Sequence, residues 1–163
     1  MGRKKRKSPP MTPKNRKIRN SVAPFVSADK IVVKADRLVC TLQLSPSCPR
    51  SSWPALMEVL ATKHPFLPQH ACKNRAGQTF AAVMNRTSLV HVVEHVAIDW
   101  QVQENSCSDA VFVGNSQWID KQAGTGRVEL SFVDDVAALR ALKNALKELN
   151  EALESCDKLR NSN

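Results

Sequence analysis

Thr87-Ser88-Leu89-Val90-His91-Val92-Val93-Glu94-His95-Val96-Ala97-Ile98-Asp99-Trp100 decides how this chain is read. Apolar residues recur at Leu89, Val92, Val93, Val96 and Trp100, which is the spacing of one helix face. Thr87 precedes them as the expected N-cap, because its hydroxyl can accept from a free backbone N–H of the first turn. The stretch therefore predicts a helix. Positions four apart share a helix face, so His91 and His95 point at the same spot. Two imidazoles there can hold a metal such as zinc. Glu94 lies beside the pair, where a carboxylate can take a proton from water. A buried histidine pair bonded to a carboxylate, with no metal, is the competing reading.

All four histidines of the chain fall within residues 64–95: His64, His70, His91 and His95. His70 and Cys72 are two apart and offer a further ligand or a contact to one. A second candidate comes from later in the chain. Arg127-Val128-Glu129-Leu130-Ser131-Phe132-Val133 alternates as a strand, and Glu129 is an acid in its middle. Two histidines and a glutamate form a common catalytic zinc set, so Glu129 and His70 both stand as third ligands. A solvent-facing Glu129 and a small buried Cys72 are the bland readings of those two residues.

Further out, Ile31–Val33 and Leu38–Leu44 are rich in β-branched residues and predict two strands, or one strand with a turn at Ala35-Asp36. Ser52 is expected to cap a helix from about Trp53 to Lys63, ended by His64-Pro65. A short helix is expected over about 78–84 and a buried strand over Ala110–Gly114, followed by a loop from Asn115 to Gly126. A last helix is expected over about 135–157, capped by Asp134 or Asp135. Its Leu139, Leu142, Leu146, Leu149 and Leu153 are spaced 3-4-3-4, the seam of either a core face or a homodimer.

The formal charge is +9, unevenly spread. Residues 1–20 hold nine of the 24 basic residues and no acid, which leaves 15 bases against 15 acids in the rest. Like-charge repulsion and the absence of a core-forming pattern predict a disordered tail over 1–24. Arg3, Lys4, Lys5, Arg6 and Lys7 begin it and form a candidate anion-binding arm for nucleic acid or an acidic partner. The body, 25–157, is neutral and is not a general nucleic-acid binder; residues 158–163 are expected to fray. Five cysteines without a CxxC, no apolar leader and no membrane-length apolar run predict a soluble, cytoplasmic chain with reduced thiols and no membrane partner.

Three segments together resemble a known family. They are Pro65-Phe66-Leu67-x-x-His70-x-Cys72 with a following Gly and Phe80; Thr87-x-Leu89-x-His91-Val92-x-Glu94-His95-Val96-Ala97 with Gln101 behind it; and a strand leading into a Leu/Ala helix at Val128–Leu142. In this order they resemble the N-terminal domain of cyanophycin synthetase. The order His-x-x-Glu-His is also that of inverzincin peptidases. The resemblance implies a single two-layer α+β domain, an antiparallel or mixed sheet packed against helices. It also implies a metal-dependent hydrolase, a zinc metalloprotease in type, that cuts an Asp–Arg polymer. His91 and His95 would be metal ligands, Glu94 the general base, and His70 and Cys72 would line the site. The family's ATP-grasp and Mur-ligase-like modules do not fit in 163 residues, so polymer synthesis is not implied. Where the family has glycines after His-x-Cys, this chain has Lys73, Asn74, Arg75 and Gln78.

Three functions follow. One is a zinc-dependent peptidase acting on a peptide or cyanophycin-like polymer. Another is a non-catalytic module of the same fold that docks through its basic tail onto nucleic acid or an acidic partner, and a third is a partner subunit acting in trans on a separate polymer-handling enzyme.

Overall fold

A computed structural model of the chain describes residues 23–105 and 109–161. Arg3, Lys4, Lys5, Arg6, Lys7 and the rest of the basic arm to residue 22 lie outside the described residues. The elements are β1 Val26–Val33, β2 Arg37–Leu44, α1 Pro54–Ala61, α2 Leu89–Glu104, β3 Gly114–Asp120, β4 Thr125–Ser131 and α3 Asp135–Arg160. Short 3-10 turns at Leu67–Gln69, Phe80–Ala82 and Met84–Arg86 link α1 to α2.

The strands form one antiparallel sheet in the order β1-β2-β4-β3. Side chains alternate across a pleat. Leu38, Cys40, Leu42 and Leu44 of β2 are buried, as are Gly126, Val128 and Leu130 of β4. Helices α2 and α3 cover that face, which gives the two-layer α+β architecture. Gly126 sets how close α2 comes, because a Cβ there would collide with the Val90 side chain. The bare backbone lets the first turns of α2 sit directly on the sheet.

Asp134 caps α3 by accepting from Ala137 N at 2.7 Å. Leu142, Leu149 and Leu153 are buried, and Leu139 and Leu146 pack on the same core. The leucine seam is therefore a core face. Each such burial contributes about 1.5–3 kcal/mol. The helix continues to Arg160, so 158–160 are helical where the sequence predicts fraying.

Other local expectations shift. The strand expected at Ala110–Gly114 lies later, at Gly114–Asp120, inside the expected loop. Val111 and Val113 are exposed, so their apolar run fills no core. In β3, Ser116 and Trp118 alternate with more exposed Asn115, Gln117 and Ile119, a largely polar edge pattern that hydrophobicity does not flag. Helix α1 starts behind Trp53 without a side-chain cap. Ser52 instead donates to Met84 O (2.6 Å) and accepts from Thr87 N (3.0 Å), tying that strand of chain to the start of α2. The helix expected near 78–84 is replaced by the two 3-10 turns.

No helix among the described residues is long and apolar enough to cross a membrane.

Candidate metal centre

Helix α2 places His91 and His95 one turn apart, as their spacing predicts, with their Nε2 atoms 3.1 Å from each other. The cap differs from expectation in a way that serves the site. Ser88, not Thr87, is the N-cap and accepts from His91 N at 3.1 Å. Thr87 Oγ1 is instead 2.8 Å from His91 Nδ1 and fixes that ring with its Nε2 facing the centre. Phe80 stacks on the His95 ring with centroids 4.0 Å apart and meets His91 edge-on at 5.3 Å.

The third donor is Cys72. Its Sγ lies 3.4 Å from His91 Nε2, and one ligand atom from each of Cys72, His91 and His95 falls within 4.8 Å of the others. A local loop brings the thiol there. Phe80 N donates to His70 O (2.9 Å) and Cys72 N to Gln78 O (3.0 Å), so the two arms of 70–80 run side by side.

The other expected ligands lie elsewhere. Glu129 sits on β4 between buried Val128 and Leu130, so the pleat turns it to the opposite face of the sheet. There it accepts from Arg127 Nη2 (2.6 Å) and Arg37 Nη1 (3.3 Å), away from the donor cluster. His70 packs beside His95, with centroids 5.7 Å apart, but stands outside the donor cluster. Its Nε2 is held by Asp99 Oδ1 at 2.8 Å.

Glu94 points from α2 toward β3. Ser116 Oγ donates to its Oε2 at 2.5 Å, which leaves Oε1 uncommitted by that bond. Gly114 makes room: a Cβ there would lie 2.5 Å from Glu94 Cγ and 2.7 Å from Oε1. Burial raises the Glu94 pKa above its ordinary value, and the Ser116 bond opposes that rise only in part. Burial also lowers His91, and it pushes His95 down to about 3 with help from the facing His91 and His70. Both rings are thus neutral near pH 7, the state that can donate a lone pair to a metal.

One thiol and two neutral imidazoles suit a borderline-soft divalent ion such as zinc, so the donor set fits. Cys72, His91, Glu94 and His95 all open onto a cavity of about 1250 Å³ between the 70–78 loop, α2 and the start of β3.

Behind the donors runs a buried polar network that the sequence reading did not find. His64 Nδ1 is 2.6 Å from Asp99 Oδ2, and its Nε2 is 2.7 Å from Glu148 Oε2. Trp100 Nε1 donates to Glu148 Oε2 (3.0 Å) and Gln103 Nε2 to Asp99 Oδ2 (2.5 Å). Burial disfavours the charged form of His64, but bonds to the two carboxylates outweigh it and raise its pKa. Burial likewise works against the ionised Asp99 and Glu148. Their hydrogen bonds prevail and lower both.

The family described as the cyanophycin synthase-like N-terminal domain matches residues 37–154, well over half of the chain and all of the centre. No curated protein matches the chain.

Proposed function

The chain belongs to the family of cyanophycin synthase-like N-terminal domains, and from that premise we propose that it is a metal-dependent hydrolase. Its substrate on this reading is an amide bond in a peptide or an Asp–Arg-type polymer. The observation that carries the proposal is the convergence of Cys72, His91 and His95 beside Glu94 at one cavity.

Zinc held by Cys72, His91 and His95 would supply a Lewis acid to polarise the scissile carbonyl. Thr87 holds the His91 ring in the tautomer that keeps Nε2 free to donate. Phe80 closes the His95 face against solvent. Glu94 takes the proton of the attacking water, at Oε1 because Ser116 occupies Oε2. It then returns that proton to the leaving amine nitrogen. A buried carboxylate is a stronger base than an exposed one, which suits this task near neutral pH.

The test is removal and return of the metal. Hydrolysis of a peptide or Asp–Arg polymer should cease on dialysis against a strong chelator and recover on adding zinc. Hydrolysis that is indifferent to the chelator would count against the proposal.

A further inference from the structure

The cavity is unevenly charged. Lys73 and Arg75 stand exposed at its mouth, and neither pairs with an acid among the described residues. Glu94 is the one acid among the described lining residues, and it is buried against Ser116. Asn74 fixes the loop between the two cations. Its Oδ1 accepts from Ala76 N and Gly77 N, both at 2.8 Å, and its Nδ2 reaches Cys72 O and Thr79 O. The backbone that carries the two cations is therefore held beside the donor cluster.

The opposite wall is a strand edge. β3 ends the sheet, so one of its sides has no partner strand among the described residues. Val113 directs both backbone groups at Ser131, accepting from Ser131 N and donating to Ser131 Oγ. Backbone groups alternate sides along an antiparallel strand, so those of Gly114 and Ser116 face the open side. Both residues line the cavity.

We propose that the cavity binds an extended acidic peptide, its backbone pairing with β3 at Gly114 and Ser116 and its carboxylates meeting Lys73 and Arg75. Addition of a strand to a free edge supplies backbone recognition, and the two cations supply the choice of side chain. A guanidinium-bearing substrate such as the Asp–Arg polymer would meet two positive charges there and no exposed carboxylate, so of the two substrates proposed above the charge selects the peptide. An anionic nucleic acid would satisfy the cations but not the strand edge. This assignment rests on the hydrolase reading of the same cavity.

The experiment is fluorescence anisotropy on the full chain with zinc, using labelled hexa-aspartate, hexa-arginine and hexa-uridylate. Wild type is compared with a Lys73→Glu/Arg75→Glu double variant. Residues 1–20 are the same in both proteins, so the comparison reads only what the two substitutions change. The expected result is at least tenfold weaker hexa-aspartate binding in the double variant, with hexa-arginine binding strengthened. Equal hexa-aspartate affinity in the two proteins overturns the assignment, as does a loss of hexa-uridylate affinity in the double variant larger than the loss of hexa-aspartate affinity. Metal content of the same samples separates the two failures. One zinc per chain with unchanged peptide affinity removes only the acidic-peptide site. Charge-dependent peptide binding without zinc keeps that site and removes the hydrolase reading.

Discussion

His64→Ala is expected to destabilise the protein by about 3–5 kcal/mol, because it strips the shared partner from two buried carboxylates. His64 is 1% exposed, and Asp99 and Glu148 are 3% and 8% exposed. Once the His64 ring is gone, Glu148 keeps Lys63 (3.2 Å) and Trp100, whereas Asp99 keeps Gln103 and His70 and no Lys or Arg partner. Urea unfolding at pH 7 measures the loss, and a change under 1 kcal/mol would remove the network from the account. The same groups set the pH dependence of the metal-free chain. His64 has a raised pKa, so its stabilisation is complete below the ordinary value of about 6.5 and is lost as pH rises through the raised one. Asp99 and Glu148 have lowered values. Their contribution is complete above their ordinary values of 3.8 and 4.5 and is lost as pH falls through the lowered ones. His95, pushed down to about 3, adds a loss between pH 6.5 and 3, where only the unfolded chain takes up its proton. Stability should therefore peak near neutral pH and fall on both sides.

Glu94→Gln should lower kcat for amide hydrolysis by about 10²–10⁴-fold, the usual worth of a positioned general base. The amide keeps the shape of the side chain and can still accept from Ser116 through its oxygen. It cannot take a proton from water at pH 7. Glu94 is not among the three donors, so metal content should stay at the wild-type level. Steady-state kinetics with matched metal analysis checks this. A variant that keeps both its zinc and its rate would show that the proton leaves by another route.

Much of this was legible in the sequence because it depends on periodicity. The helix at 89–104, the alternation of β2 and β4, and the leucine face of α3 all follow from residues repeating at 3.6 or 2.0 positions. The His91–Glu94–His95 grouping follows from the same rule. What periodicity missed depended on polar contacts between distant segments. The His70-x-Cys72 pair stood out as a candidate ligand or ligand contact, but that Cys72 and not His70 joins the donors depends on how the 70–80 loop closes on itself. Glu129 looked like a ligand because it is an acid in a strand, yet the burial of Val128 and Leu130 fixes its face. Thr87 and Ser88 are both good caps, and sequence alone did not divide the roles of cap and ring-holder between them. One signal was present and went unread. His91, His95, Asp99 and Gln103 recur every four residues, a polar stripe along α2 that leads from the centre to the His64 network.

The most direct measurement is zinc content by elemental analysis on the purified chain, beside His91→Ala. The account predicts one zinc per chain in the wild type and a loss in His91→Ala, with both proteins folded by circular dichroism. Zinc absent from a folded wild-type chain after incubation with excess metal would contradict it, and the cluster of Cys72, His91 and His95 would then be packing alone.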